Sequence, residues 1–101
     1  MNEEQVISRL AESVGSVLGD LRSGLSLNKE AFDVACDSLK FLANNWRERD
    51  CVSRRAILPM LGTVDFILGI SRQCKDDNER QMLEAAAVTI DELIRSCFLD
   101  V

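Results

Sequence analysis

The chain has 101 residues, of which 47% are hydrophobic and 29% charged, and its formal net charge is -5. That length suits a single domain spanning residues 1–101, and the acidic balance disfavours nucleic acid as a partner because a phosphate backbone would be repelled. Histidine is absent, which removes the commonest general base and zinc ligand, so we expect no enzyme, no metal site and no cofactor.

The first segment, residues 3–23, repeats apolar residues every three or four positions, which predicts an amphipathic helix. Asn2 and Gln5 have the spacing of a capping box at its start, and Gly24 is suited to end it. Ala11, Gly15 and Gly19 form a strip of small residues beside the apolar stripe. The predicted core stripe comprises Val6, Ile7, Leu10, Val14, Val17, Leu18 and Leu21.

The second segment, residues 29–47, has the same periodicity, and Asn28 is the expected N-cap. Val34 and Phe41 lie seven residues apart and outside its main stripe, so they are candidates for a surface contact. The predicted core stripe comprises Phe32, Ala35, Cys36, Leu39, Leu42, Ala43 and Trp46.

The third segment, residues 53–73, contains the only proline of the chain. Pro59 would fall in the second turn after a Ser53 cap, so we predict a helix that is kinked or irregular near Pro59. Its predicted core stripe comprises Ala56, Ile57, Met60, Leu61, Val64, Ile67 and Leu68. A second side of the same helix carries Leu58, Gly62, Phe66 and Gly69, with Ile70 at its edge.

The fourth segment, residues 78–98, follows a possible capping box of Asp76 and Glu79. Its predicted stripe comprises Met82, Leu83, Ala86, Ala87, Ile90, Leu93, Ile94, Cys97 and Phe98. The three connections are short, and short links favour antiparallel neighbours. The sequence therefore predicts an all-α fold, an antiparallel up-down-up-down four-helix bundle.

This topology places both chain ends and the second connection at the same end of the bundle. Four arginines surround that connection, and Glu3, Glu4 and Asp100 should lie near them. Internal charge pairing is the simpler interpretation, and a site for an anion or an acidic partner is the alternative. The arginines are Arg47, Arg49, Arg54 and Arg55.

Cys36 and Cys97 fall on core stripes and are expected to be reduced thiols, whereas Cys51 lies among the arginines, which leaves a redox role open. The acidic start of the chain lacks the features of a secretory signal, and its longest apolar stretch, residues 56–70, is too short to span a bilayer. We therefore predict a cytoplasmic protein without membrane contact.

An apolar second side on one helix of so small a bundle is more typical of an interface than of internal packing. We predict a non-catalytic protein–protein interaction module, such as a small regulator, adaptor, immunity factor or chaperone. Its simplest form is a two-fold symmetric homodimer through helices two and three. The predicted interface residues are Val34, Phe41, Leu58, Gly62, Phe66, Gly69 and Ile70.

One alternative function remains open from the sequence. A kinked third helix could expose a cavity that binds an apolar small ligand or a lipid. The lining of that cavity would be Trp46, Met60, Val64 and Met82.

Overall fold

The computed structural model describes residues 2–98, and every regular element in that range is helical. The all-α prediction is therefore confirmed. The helices are α1 (Glu3–Arg22), α2 (Lys29–Trp46), α3 (Arg54–Met60), α4 (Thr63–Gln73) and α5 (Asp77–Phe98).

The predicted caps hold the helix ends in place. The Asn2 side chain accepts a hydrogen bond from the Gln5 backbone N–H at 2.9 Å, and the Gln5 side chain accepts one from the Asn2 backbone N–H at 3.0 Å. Asn28 accepts from the backbone N–H of Ala31 at 3.0 Å. Gly24 has a φ of +82°, the left-handed conformation that ends helices after their last turn.

The third predicted segment is two helices, and the break comes after Pro59, which itself lies inside α3. Leu61 is extended and Gly62 has a φ of +74°, after which α4 begins at Thr63. The Thr63 hydroxyl donates to the Pro59 carbonyl at 2.6 Å, so an acceptor at the end of α3 is satisfied across the break.

Packing between helices determines which surfaces are neighbours. α1 packs against α2 on one side and against α3 and α4 on the other, and α5 packs against both α2 and α4. α2 and α4 therefore occupy opposite corners of the bundle. Each helix contributes the apolar residues of its stripe to one shared core.

Most predicted core residues are buried or partly buried, but three are exposed. Leu61 is 67% exposed because the helical period stops at Met60 and the next residue turns outward. Met82 and Phe98 lie in the first and last turns of the α5 stripe and are 43% and 48% exposed. The prediction that Leu61, Met82 and Phe98 are core residues was therefore wrong. At these positions the helix ends, or the helices that pack against it end.

The charge pairing predicted at one end of the bundle is confirmed for two pairs. Glu3 lies 2.6 Å from the Arg49 guanidinium, and Glu4 lies 3.5 Å from that of Arg55. These contacts bring the starts of α1 and α3 to the end of α2. Asp100, the third predicted carboxylate, lies outside the described residues.

Candidate interaction surfaces

The predicted interface residues fall on three separate surfaces. Val34 and Phe41 line a groove of about 270 Å³ between α1 and α2, together with Val6 and Arg9 of α1. Phe41 is half-buried and packs against the core. Since α2 and α4 are at opposite corners, this groove is not continuous with the predicted contact residues of α4.

A second surface lies where α4 faces α1. The Arg22 guanidinium carbon of α1 stands 5.4 Å from the centre of the Phe66 ring of α4. Arg22 follows Ala11 by about three helical turns, so both point to the same side of α1. The strip of small residues therefore lies on the side of α1 that carries Arg22. We call this surface the glycine face, formed by Ala11, Gly15, Gly19, Phe66, Gly69 and Ile70.

Three glycines of the glycine face have open space around them. A Cβ atom built on Gly15, Gly19 or Gly69 would meet no heavy atom within 4 Å. A glycine inside a helix is less favourable than alanine by roughly 0.5–1 kcal/mol. Packing within the chain therefore gives no reason for these three glycines.

Gly62 differs from those three because its backbone requires glycine. Its φ of +74° is a conformation in which a side chain is strained. The sequence interpretation gave Gly62 the role of allowing a partner helix to approach. In the structure it makes the turn between α3 and α4.

The third surface is on α3. Leu58 is 72% exposed and Leu61 is 67% exposed, more than any other large hydrophobic residue described. Arg54, Arg55, Ile57 and Leu58 line a shallow groove of about 550 Å³. We call the surface of Arg54, Arg55, Ile57, Leu58 and Leu61 the α3 patch. Sequence reasoning found Leu58 but missed Leu61, because it assumed that the helix continued.

The α3 patch is locally basic on an acidic chain. The patch itself contains two arginines, Arg54 and Arg55, and no carboxylate, whereas the whole chain carries -5. Arg49 and Arg55 pair with Glu3 and Glu4. Among the ion pairs found within residues 2–98, none involves Arg54.

The four cysteines are free thiols with different surroundings. Cys36 and Cys97 are buried, as predicted, and burial raises the pKa of Cys36 and raises that of Cys97 to about 11. Both are therefore protonated and poor nucleophiles at neutral pH. Cys51 is exposed in the connection before α3.

The residues proposed to line a ligand cavity have different surroundings in the structure. Trp46 and Met60 are buried in the core, whereas Met82 is exposed on α5. Trp46 borders instead an open cavity of about 790 Å³ at the end of the bundle, whose lining includes Arg47, Val52 and Phe98. That lining does not match the predicted lipid site.

Other kinds of site are also missing from the part of the chain that the structure describes. Among residues 2–98, no three or more side chains of His, Cys, Asp or Glu are arranged to hold a metal ion. None of the helices in that range combines the length and the hydropathy needed to cross a bilayer. No family model matches the chain, and comparisons with curated proteins and with solved structures gave no match.

Proposed function

We propose that the chain is a non-catalytic protein–protein interaction module of the cytoplasm, acting as a small regulator, adaptor, immunity factor or chaperone. We further propose that it forms a two-fold symmetric homodimer through the glycine face. The helices run up, down, up and down, with α3 and α4 together forming the third rod. The pairing of Glu3 with Arg49 and of Glu4 with Arg55 supports this arrangement.

The observation that carries the proposal is the open space around Gly15, Gly19 and Gly69. Gly15 and Gly19 lie on α1 and Gly69 on α4, two helices that pack together, and the α4 residues Phe66 and Ile70 are only partly buried. Residues without side chains let a facing helix approach closely, and the apolar rings and methyl groups beside them gain burial when it does. In a two-fold contact each surface packs against the same surface of the other copy, so the small residues of one copy would face those of its partner.

The homodimer is tested by replacing the open glycines with large side chains. In the monomer a Cβ atom at Gly15 or Gly69 meets no heavy atom within 4 Å, so Gly15→Arg and Gly69→Arg should each fold and keep the helical circular dichroism. In the dimer the same side chains occupy the contact, so the mass from light scattering should stay that of a monomer, 11.3 kDa, at every concentration. The unsubstituted chain should gain mass as its concentration rises.

The matched control is Ala85→Arg, an equally bulky change at an exposed position of α5. It should leave self-association unchanged. A monomeric mass for the unsubstituted chain at millimolar concentration contradicts the homodimer, and so does a dimer that tolerates arginine at both glycine positions.

A further inference from the structure

We propose that the α3 patch is a docking surface for an acidic, amphipathic segment of another protein. This inference rests on the proposed role as an interaction module, since it names the class of partner. It does not depend on self-association, because the α3 patch and the glycine face involve different residues.

The apolar part of the α3 patch has the form of a helix-recognition site. Arg54 and Leu58 lie four residues apart and therefore on one side of α3, and three residues on comes its C-cap Leu61, whose backbone N–H donates to the Ile57 carbonyl at 3.0 Å. The two leucines are exposed by 72% and 67% and contribute little to the core. With Ile57 they present adjacent apolar side chains to a partner whose own apolar residues recur every three or four positions.

The charge of the α3 patch selects an acidic occupant. Arg54 lacks an ion pair among residues 2–98, and Arg55 has only an exposed contact of 3.5 Å with Glu4. A contact of that kind is worth less than about 1 kcal/mol, so a partner carboxylate can replace it. A segment with acidic residues beside its leucines or phenylalanines therefore matches both parts of the surface.

A second copy of this chain fits the α3 patch poorly. A two-fold contact would bring Arg54 and Arg55 against the same residues of the other copy, and like charges would face each other. An anionic lipid surface is also unfavourable. The remainder of the chain carries -7 once the +2 of Arg54 and Arg55 is set apart, so most of the molecule would be repelled by it.

The experiment pans a phage-displayed library of random 16-residue peptides against the immobilised whole chain. We expect the recovered peptides to be net acidic, with at least two large apolar residues at helical spacing. Their affinity, measured by fluorescence anisotropy on synthetic copies, should fall at least tenfold for Leu58→Ser and for Arg54→Glu. Both positions are exposed, so circular dichroism should show unchanged folding.

Two controls separate this inference from the homodimer. Val88→Ser removes an apolar side chain that is 56% exposed on α5, and it should leave peptide affinity unchanged. Gly15→Arg, which removes the homodimer, should also leave peptide affinity unchanged. A Gly15→Arg variant that still dimerises would rule out the homodimer through the glycine face. If peptide affinity falls for Leu58→Ser in the same experiment, the docking surface stands.

Three results would overturn the docking surface. One is a panel of recovered peptides without acidic excess, and another is affinity that does not respond to Leu58→Ser or Arg54→Glu. The third is that no peptide is recovered, while the chain sediments with phosphatidylglycerol vesicles and Leu58→Ser abolishes that sedimentation. This result would assign the α3 patch to lipid.

Discussion

Trp46 links the core to the charged end of the bundle. Its ring is 3% exposed, and its indole N–H donates to the Glu3 carboxylate at 2.9 Å. The same carboxylate oxygen accepts from Arg49 at 2.6 Å. Glu3 therefore satisfies a buried donor and an exposed one, and the two interactions should differ in energy because their exposure differs.

We expect Glu3→Ala to lower the free energy of unfolding by about 1–3 kcal/mol, because it leaves the buried Trp46 donor without a partner. Arg49→Ala should cost less than about 1 kcal/mol, since the Arg49 side chain is half exposed. Urea denaturation followed by Trp46 fluorescence measures both, and Trp46 is the only tryptophan. Equal losses for the two variants would contradict this account.

Cys97 makes the stability of the fold depend on alkaline pH. Burial raises the pKa of Cys97 to about 11 from the ordinary cysteine value of 9.0, and its thiol donates to the Leu39 carbonyl at 3.5 Å. Between pH 9 and pH 11 the unfolded chain releases this proton while the folded chain retains it. The free energy of unfolding should therefore fall as pH rises through that range, with the contribution complete below pH 9.

The measurement compares urea denaturation of the unsubstituted chain and of Cys97→Ala between pH 8 and pH 11. The alanine variant should lose stability less steeply as pH rises, although its smaller side chain lowers stability at every pH. Cys51→Ala, at an exposed cysteine, is the control and should keep the steeper slope. Parallel slopes for Cys97→Ala and the unsubstituted chain would argue against a buried thiol.

At the scale of the helices, the break between α3 and α4 is the feature with the largest consequence. It turns Leu61 out of the core, ends the apolar stripe of α3 and separates Leu58 from Phe66. A single continuous helix would have presented both residues on one side. Gly62 makes the break possible. Gly62 and Gly69, which look alike in the sequence, therefore have different roles.

Alanine at these two glycines should change stability in opposite directions. Gly62→Ala forces a side chain into a left-handed backbone and should lower the free energy of unfolding by about 1–2 kcal/mol. Gly69 has open space around it and a helical backbone, so Gly69→Ala should raise the free energy of unfolding by about 0.5–1 kcal/mol in dilute monomer. Thermal unfolding by circular dichroism would reveal the difference, and two shifts of the same sign would contradict it.

At the scale of the whole molecule, the two proposed surfaces should respond oppositely to salt. Two copies that each carry -5 repel one another, and salt screens this repulsion. Raising NaCl from 50 to 500 mM should therefore strengthen self-association through the apolar glycine face. The same change should weaken binding of acidic peptides to the α3 patch, because that binding relies on Arg54 and Arg55.

Analytical ultracentrifugation and fluorescence anisotropy at the two salt concentrations measure these responses. Self-association that weakens with salt would point to a charged interface instead of the glycine face. Peptide binding that is indifferent to salt would remove the basis for an acidic partner.

Helix positions and the ends of α1 and α2 could be predicted from the sequence because their causes are local. Asn2 with Gln5, Asn28 with Ala31 and the left-handed Gly24 are interactions within a few residues of one another. The period of three to four residues likewise marks which side of a helix is apolar without reference to its neighbours. The pairing of Glu3 with Arg49 was also predictable, since short connections fix which ends meet.

The tertiary structure alone decided which surfaces adjoin. The sequence placed Val34, Phe41, Leu58 and Phe66 in one interface, but the packing order of the helices puts them on three surfaces. Neither that order nor the backbone turn at Gly62 is encoded in periodicity, because both depend on which stripes pack together across the core. Only when all the helices share that core does Arg22, on the side of α1 that carries the glycine strip, come to lie against Phe66 of α4.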